Sequence, residues 1–253
     1  MTKDERKYLD WLKKDKYDGQ ARAASLAVDL GRLRAGEPLD YVIGWRPFLG
    51  CKIVLTERPL IPREETEYWA KEAIEEIKKD KRPKIKCLDI FTGSGCVGLA
   101  VLANAKNTVV TFADKSPRAL KSVRKNLKVN SSQIGSHRAK VVESDVFSGL
   151  SDQFDYIFAN PPYIPLGRKL PESVSRYEPR EALRAGRDGL LFIKRFLVQA
   201  PAHLVEGGKI YLEFGYGQKK AVDILLKKIG FGSWVFGKDQ FGRCRFAIIK
   251  NSR

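Results

Sequence analysis

The run FANPPYIP, Phe158 to Pro165, sets an asparagine, two prolines and a tyrosine directly after the apolar stretch Tyr156 to Phe158. Two consecutive prolines remove two backbone donors. The corner therefore presents carbonyl acceptors, the Asn160 side-chain oxygen and an aromatic face without competing N–H groups. Such a corner is a receptor for an NH2 group. One hydrogen can go to the Asn160 oxygen and the other to the Pro161 carbonyl, while Tyr163 packs on the planar π-system that carries the nitrogen. Asn160, Pro161, Pro162 and Tyr163 are the candidate catalytic residues. Asn-Pro-Pro is often only loop punctuation, so its chemistry depends on what stands beside it.

LDIFTGSGCVG, Leu88 to Gly98, holds Gly93, Gly95 and Gly98 in a G-x-G-x-x-G pattern between a predicted strand and a predicted helix. Glycines there allow a tight turn and close approach of backbone to a ligand, and the helix start supplies free N–H donors. Asp114 ends the next predicted strand, where an acid can accept both hydroxyls of a ribose. A nicotinamide dinucleotide and S-adenosylmethionine both satisfy this pattern, and the glycines alone do not separate them. The NH2 receptor at the end of a later parallel strand does, because ligands of such sheets sit outside the strands' carboxyl ends.

The surrounding elements must place those two corners together. Strand-like Ile85–Phe91, helix-like Ser94–Ala105, strand-like Thr108–Ala113, helix-like Pro117–Val129 and strand-like Ala139–Glu143 alternate regularly. The rhythm continues through Asp155–Ala159, helical Gly189–Leu204, Lys209–Phe214 and Lys219–Ile229. This alternation predicts an α/β fold with a mostly parallel sheet covered on both faces. Ser233–Gly237 and Arg243–Ile249 suit a closing antiparallel hairpin. Upstream, apolar residues between Leu9 and Leu33 predict short helices ending near Gly36. Phe48–Thr56 has β content around Gly50, and REETEYWAKEAIEEIKKDKRPK reads as a charged helix stopped by Pro83. The expected organisation is a shortened helical region at 1–36, a hairpin and linking helix at 37–82, and a catalytic domain at 83–253.

A chain of 253 residues with 43% hydrophobic content can bury one large core plus a small appendage. No long uncharged apolar run suggests a membrane span. The acids among the lysines of the first 16 residues argue against a secretory signal or transit peptide, so a cytoplasmic protein is expected. Cys51, Cys87, Cys96 and Cys244 lack metal-type spacing and only His137 and His203 could assist them, so no metal site is expected. The formal net charge of +17 implies attraction to an anionic partner. Arg118, Lys121, Lys125 and Lys128 recur on one helical face in a segment without acids, and could meet phosphates or an acidic protein surface. The same stripe also suits a solvated outer face.

LDIFTGSG, Asp114, SDVF and NPPY together resemble class I S-adenosylmethionine-dependent methyltransferases that modify planar NH2 groups. PLDYVIGWRPFLG, LIPREETE, YEPREAL and GRDGL narrow the likeness to the HemK/PrmC family of peptide-chain-release-factor glutamine methyltransferases, from about Pro38 onward. The resemblance implies a Rossmann-like seven-stranded sheet with a closing hairpin. It implies S-adenosyl-L-methionine as methyl donor, with S-adenosyl-L-homocysteine as product. Phe91, Thr92, Gly93, Ser94 and Gly95 would form the cofactor loop, Asp114 would take the ribose, Asp145 and Val146 would border the adenine, and Asn160 would touch both ligands. Many relatives have glycine at the position of Phe91 and an aromatic residue at that of Val146. The implied substrate is the glutamine amide in the Gly-Gly-Gln loop of a class I release factor. A ribosomal-protein glutamine, a nucleic-acid adenine and a non-catalytic RNA-binding role are the alternatives. A monomer is expected, with a shorter helical grip than the family's usual one. Glu64, Glu65, Glu67, Arg180 and Glu181 read as helix-start charges and solvated ion pairs.

Overall fold

The computed structural model describes residues 3–20 and 22–251. Met1, Thr2 and Ala21, in the expected helical region, and Ser252 and Arg253, in the expected catalytic domain, lie outside the described residues. Helix α1 (Lys3–Trp11) runs into a π-helical turn at Leu12–Lys16, followed by α2 (Ala23–Arg34) and α3 (Leu39–Ile43). Leu12 is fully buried, and Asp29 of α2 accepts from Lys16 and Tyr17 at 2.7 and 2.6 Å. The β content expected around Gly50 is a hairpin, β1 (Trp45–Phe48) and β2 (Cys51–Val54), that begins earlier than the sequence suggests. Leu49 and Gly50 carry its turn at φ 44° and 88°. Two left-handed turn residues match the twist of the flanking strands.

Helix α4 (Glu64–Lys79) crosses to the main sheet, burying Thr66, Trp69, Ala70, Ala73, Ile74 and Ile77 along one face. Next come β3 (Ile85–Ile90), α5 (Cys96–Asn104), β4 (Thr108–Asp114), α6 (Pro117–Val129), β5 (Ala139–Glu143) and β6 (Phe154–Ala159). The short α7 (Glu172–Tyr177) and α8 (Leu191–Gln199) lead to β7 (Leu204–Glu213), α9 (Lys219–Ile229), β8 (Ser233–Lys238) and β9 (Cys244–Lys250). The expected helix at 189–204 is therefore shorter, and β7 claims Leu204, which pairs with Phe154. The glycines at 207 and 208 hid this early strand start from sequence inspection. A Cβ at Gly208 would meet Leu204 at 2.9 Å.

Strand order is β5-β4-β3-β6-β7-β9-β8. Strands β3 to β7 pair in parallel, whereas β9 is antiparallel to both β7 and β8. The chain thus winds outward from β3 through β4 to β5, then returns to the other side of β3 as β6. That reversal opens a crevice at the carboxyl ends of β3 and β6, the place where such sheets hold ligands.

Two buried asparagines, Asn126 on α6 and Asn130 capping its end, bind the hairpin to the sheet. Asn126 accepts from the Val54 N–H at 2.7 Å and donates to the Ser94 carbonyl at 2.9 Å. Asn130 accepts from Lys52 N–H at 2.9 Å and returns a bond to its carbonyl at 3.0 Å. Amide side chains thereby satisfy backbone groups on the outer edge of β2 that would otherwise be unpaired.

Gly98 in α5 lies against the sheet, where a Cβ would meet Phe112 Cε1 at 2.4 Å and Asp89 Oδ2 at 3.0 Å. The third glycine of the loop motif is thus a packing residue. Gly98→Ala is expected to destabilise the fold by about 1–3 kcal/mol through overpacking, read as a lower midpoint in urea unfolding.

Candidate active site

A cleft of about 1030 Å³, counting the part open to solvent, lies over the carboxyl ends of β3, β4 and β6. Phe91, Thr92, Gly93, Ser94, Asp114, Asp145, Val146, Asn160 and Pro162 all line it, so the glycine loop and the asparagine corner share one space. Gly95, Pro161 and Tyr163 do not line it. Gly95 instead makes the left-handed residue preceding α5, at φ 82°, with its α-carbon facing Val123 and Leu99. Tyr163 is held behind the wall: its hydroxyl donates to Glu213 at 3.2 Å and its carbonyl accepts from Gln218 at 3.1 Å.

The acids divide by environment. Asp114 Oδ2 accepts from Gly93 N–H at 3.0 Å and Oδ1 from Ser116 N–H at 2.9 Å, which fixes the carboxylate against the loop. Burial raises its pKa, and those backbone donors counteract part of the rise. Asp89 sits deeper, accepting on Oδ2 from Thr92 Oγ1 at 2.6 Å and Gly98 N–H at 3.0 Å. Burial pushes its carboxyl up to about 7. Asp145 is the opposite case. Arg195 grips both its oxygens at 3.1 and 2.9 Å, and this hydrogen-bonded pair holds the carboxyl below the usual range.

Phe91 and Val146 both adopt left-handed backbone, at φ 58° and 59°. The Phe91 ring meets Phe192 and Phe196 edge-on at 6.1 and 6.2 Å, forming an apolar wall. Lys115 closes that wall with its ammonium 4.9 Å from the Phe192 ring centroid.

Asn160 Nδ2 donates to Thr66 Oγ1 at 3.1 Å, and Thr66 Oγ1 donates to Glu213 Oε2 at 2.7 Å. Trp69 Nε1 adds a bond to the same oxygen at 2.8 Å. Glu213 is 1% exposed, and burial raises its pKa against these donors. Sequence reasoning passed over Thr66 and Glu213, since one sat inside a charged helix start and the other inside a strand.

The charged segments are also placed. Arg63 donates to Glu178 Oε1 at 2.6 Å, and Glu178 Oε2 accepts from Ile61 N–H at 3.2 Å. LIPREETE and YEPREAL therefore meet and form one side of the cleft. Glu67 accepts from the Leu49 N–H at 2.8 Å, so that helix-start charge is a tether for the hairpin. Of the basic stripe, Arg118 lines the cleft and donates to the Glu57 carbonyl. Lys121 lies 3.0 Å from Glu57, and Lys125 donates to Thr56 at 2.6 Å. Three of the four cations thus lean on the segment after β2. Among the described residues no cluster of three or more His, Cys, Asp or Glu could hold a metal, and no helix is long and apolar enough to cross a membrane.

Residues 72–174 match the family described as Methyltransferase small domain. The chain is 36% identical over 217 residues to a release factor glutamine methyltransferase of Lactococcus lactis, covering 83% of this chain and 77% of the relative. It is 37% identical over 226 residues to the enzyme of that name from Streptococcus pneumoniae, covering 88% and 78%. Among solved structures it resembles a methyltransferase from Pyrococcus furiosus, with TM-score 0.57 and 20% identity, covering 89% and 98%. It also resembles the N-terminal domain of human METTL16 in complex with SAH, with TM-score 0.57 and 18% identity, covering 91% and 82%. These structures share the fold: a seven-stranded, mostly parallel class I methyltransferase sheet with a closing hairpin.

The Arg63–Glu178 pair holds one cleft wall with a carboxylate whose side chain is 1% exposed. Glu178→Ala strands the Ile61 amide and one guanidinium. A loss of about 2–3 kcal/mol is expected, below the value for a fully buried pair because Arg63 is partly solvated; chemical denaturation checks it.

Proposed function

Because this chain belongs to the release factor glutamine methyltransferase family, we propose that it methylates the side-chain amide nitrogen of the Gly-Gly-Gln glutamine in a class I release factor. The observation that carries the reading is the shared cleft, in which Asn160 at the end of β6 stands beside the glycine loop at the end of β3. S-adenosylmethionine, when bound, supplies an electrophilic methyl group on sulfur. The residues present suit it. Asp114 offers acceptors for a ribose, the loop at Thr92–Ser94 offers backbone at the start of α5, and Phe91, Val146 and Phe192 offer an apolar wall.

A carboxamide nitrogen is a poor nucleophile, since resonance draws its lone pair into the carbonyl. The chain's own work is therefore to hold and polarise that nitrogen. Asn160 Oδ1 and the Pro161 carbonyl would accept its two hydrogens, aim its lone pair and stabilise positive charge developing on it. Pro161 would act through its backbone oxygen. Tyr163 supports the corner from behind through its bond to Glu213. No strong base is needed, because the methylated amide cation is acidic enough to release a proton to water. The expected roles of Asp145 and Val146 at the adenine remain part of this proposal, with Arg195 setting the Asp145 carboxylate in place.

With labelled methyl donor, purified release factor is expected to be methylated, while ribosomal protein and DNA offered side by side are not. Labelling confined to either of the latter would sink the reading. Asn160→Ala is expected to lower kcat by about 100-fold or more, the scale of a lost positioned acceptor. Turnover near the wild-type rate would show that the asparagine does not hold the nitrogen.

A further inference from the structure

The hydrogen-bond chain behind Asn160 has a direction, and that direction bears on what the cleft can accept. Trp69 Nε1 is a donor only, so Glu213 Oε2 must accept from it at 2.8 Å. Thr66 Oγ1 lies 2.7 Å from the same oxygen, and the Tyr163 hydroxyl lies 3.2 Å from Oε1. An ionised carboxylate is acceptor-only, so both hydroxyls donate to it. Burial pushes the Glu213 carboxyl up, and the Trp69, Thr66 and Tyr163 donors, then the Arg245 cation, oppose that rise; the Arg245 guanidinium also lies 3.5 Å from Glu65 and 3.5 Å from Asp239. Thr66 has one proton, and Glu213 takes it. Toward Asn160 the threonine oxygen can then only accept, so the amide group 3.1 Å away is the NH2 end. The amide is planar, which turns Oδ1 to the opposite side. Among the described residues that oxygen has neither a hydrogen-bond partner nor a place among the buried unsatisfied atoms, while Asn160 lines the cleft.

We propose that Thr66 and Glu213 are positioning residues that fix the Asn160 amide with its oxygen toward the cleft, and so commit the site to substrates that present an NH2 donor. The inference rests on the glutamine-methylation reading and deepens it. Without the threonine hydroxyl the amide has two nearly equivalent orientations, one of which faces the substrate nitrogen with a donor and repels it. A proton on Glu213 Oε1, toward Tyr163, would leave this direction intact; only a proton on Oε2 would reverse it by donating to Thr66, and the Trp69 N–H on Oε2 disfavours that. Glu213 thus acts at second hand through one hydroxyl, and neither residue need touch the substrate.

The test uses full-length protein, labelled methyl donor and purified release factor. Thr66→Val keeps the side-chain shape and removes the hydroxyl. It is expected to lower kcat about 10-fold or more, leave KM for the release factor within about two-fold, and leave calorimetric affinity for S-adenosylhomocysteine unchanged. Thr66→Ser restores the hydroxyl and is expected to recover kcat to within about three-fold. A Thr66→Val enzyme turning over at the wild-type rate overturns the inference, as does a Thr66→Ser enzyme no better than Thr66→Val. If Thr66→Val does not fold, Thr66→Ala decides: a loss confined to kcat supports the assignment and wild-type kcat overturns it. Wild-type protein that leaves release factor unlabelled sinks the glutamine reading itself, whereas labelled release factor with an unaffected Thr66→Val sinks only this assignment.

Discussion

A carboxylate buried among aromatic rings sets the constraint on which the active corner depends. Taking Glu213 out of water costs several kcal/mol unless donors replace the lost hydration. Here the donors come from two directions: Thr66 and Trp69 of α4, and Tyr163 of the NPPY corner. Because Glu213 ends β7, one charge ties the linking helix, the sheet and the NPPY corner to a single geometry. Trp69 can supply its N–H only if its ring lies flat on the sheet, and it stacks on Tyr211 at 6.2 Å with 17° between the planes. The helix that covers the sheet thereby also aims the asparagine.

Legibility in the sequence followed the range of the interactions. The glycine loop, Asp114 and the alternation of strands and helices stood out because each is a pattern within a few residues, set by backbone conformation or one apolar face. Asn160 was readable for the same reason, as the terminus of an apolar run before two prolines. Thr66 and Glu213 were not. They are 147 residues apart, and neither has a neighbour in sequence that announces a bond. Tyr163 was legible as an aromatic residue of the corner but not in its direction, because a ring can pack over the cleft or behind it with the same sequence. The structure turns its hydroxyl to the buried acid. Gly95 shows the converse limit: it belongs to the loop motif, yet its lack of a side chain serves the turn into α5.

The same distinction explains the charges. REETE and YEPREAL look like solvated helix starts, and Glu64 fits that reading, with a side chain 64% exposed. Arg180 and Glu181 are exposed as well, whereas three further charges at the join have partners within the fold. Glu178, Arg63 and Glu67 satisfy backbone or one another where two loops meet. Segments that resemble family signatures on the page are, in three dimensions, the seam along one side of the cleft. A net positive chain can therefore place acids where they act as acceptors for stray amides while most cations remain outside.

Phe91 and Val146 show how far the site departs from local preference. A left-handed backbone costs a non-glycine residue about 1–2 kcal/mol, and a β-branched residue is the least suited to it. Both strained positions line the cleft. Glycine would relieve the strain at 91 but remove a ring in edge contact with Phe192 and Phe196. Burying an aromatic side chain contributes about 1.5–3 kcal/mol, comparable to or larger than the strain. The balance favours the ring because the backbone around it is held independently, by the Thr92 N–H to Ala113 carbonyl bond and the Gly93 N–H to Asp114 bond. A loop fixed by its neighbours can carry a residue that the bare turn would reject, and here that residue supplies part of the apolar wall.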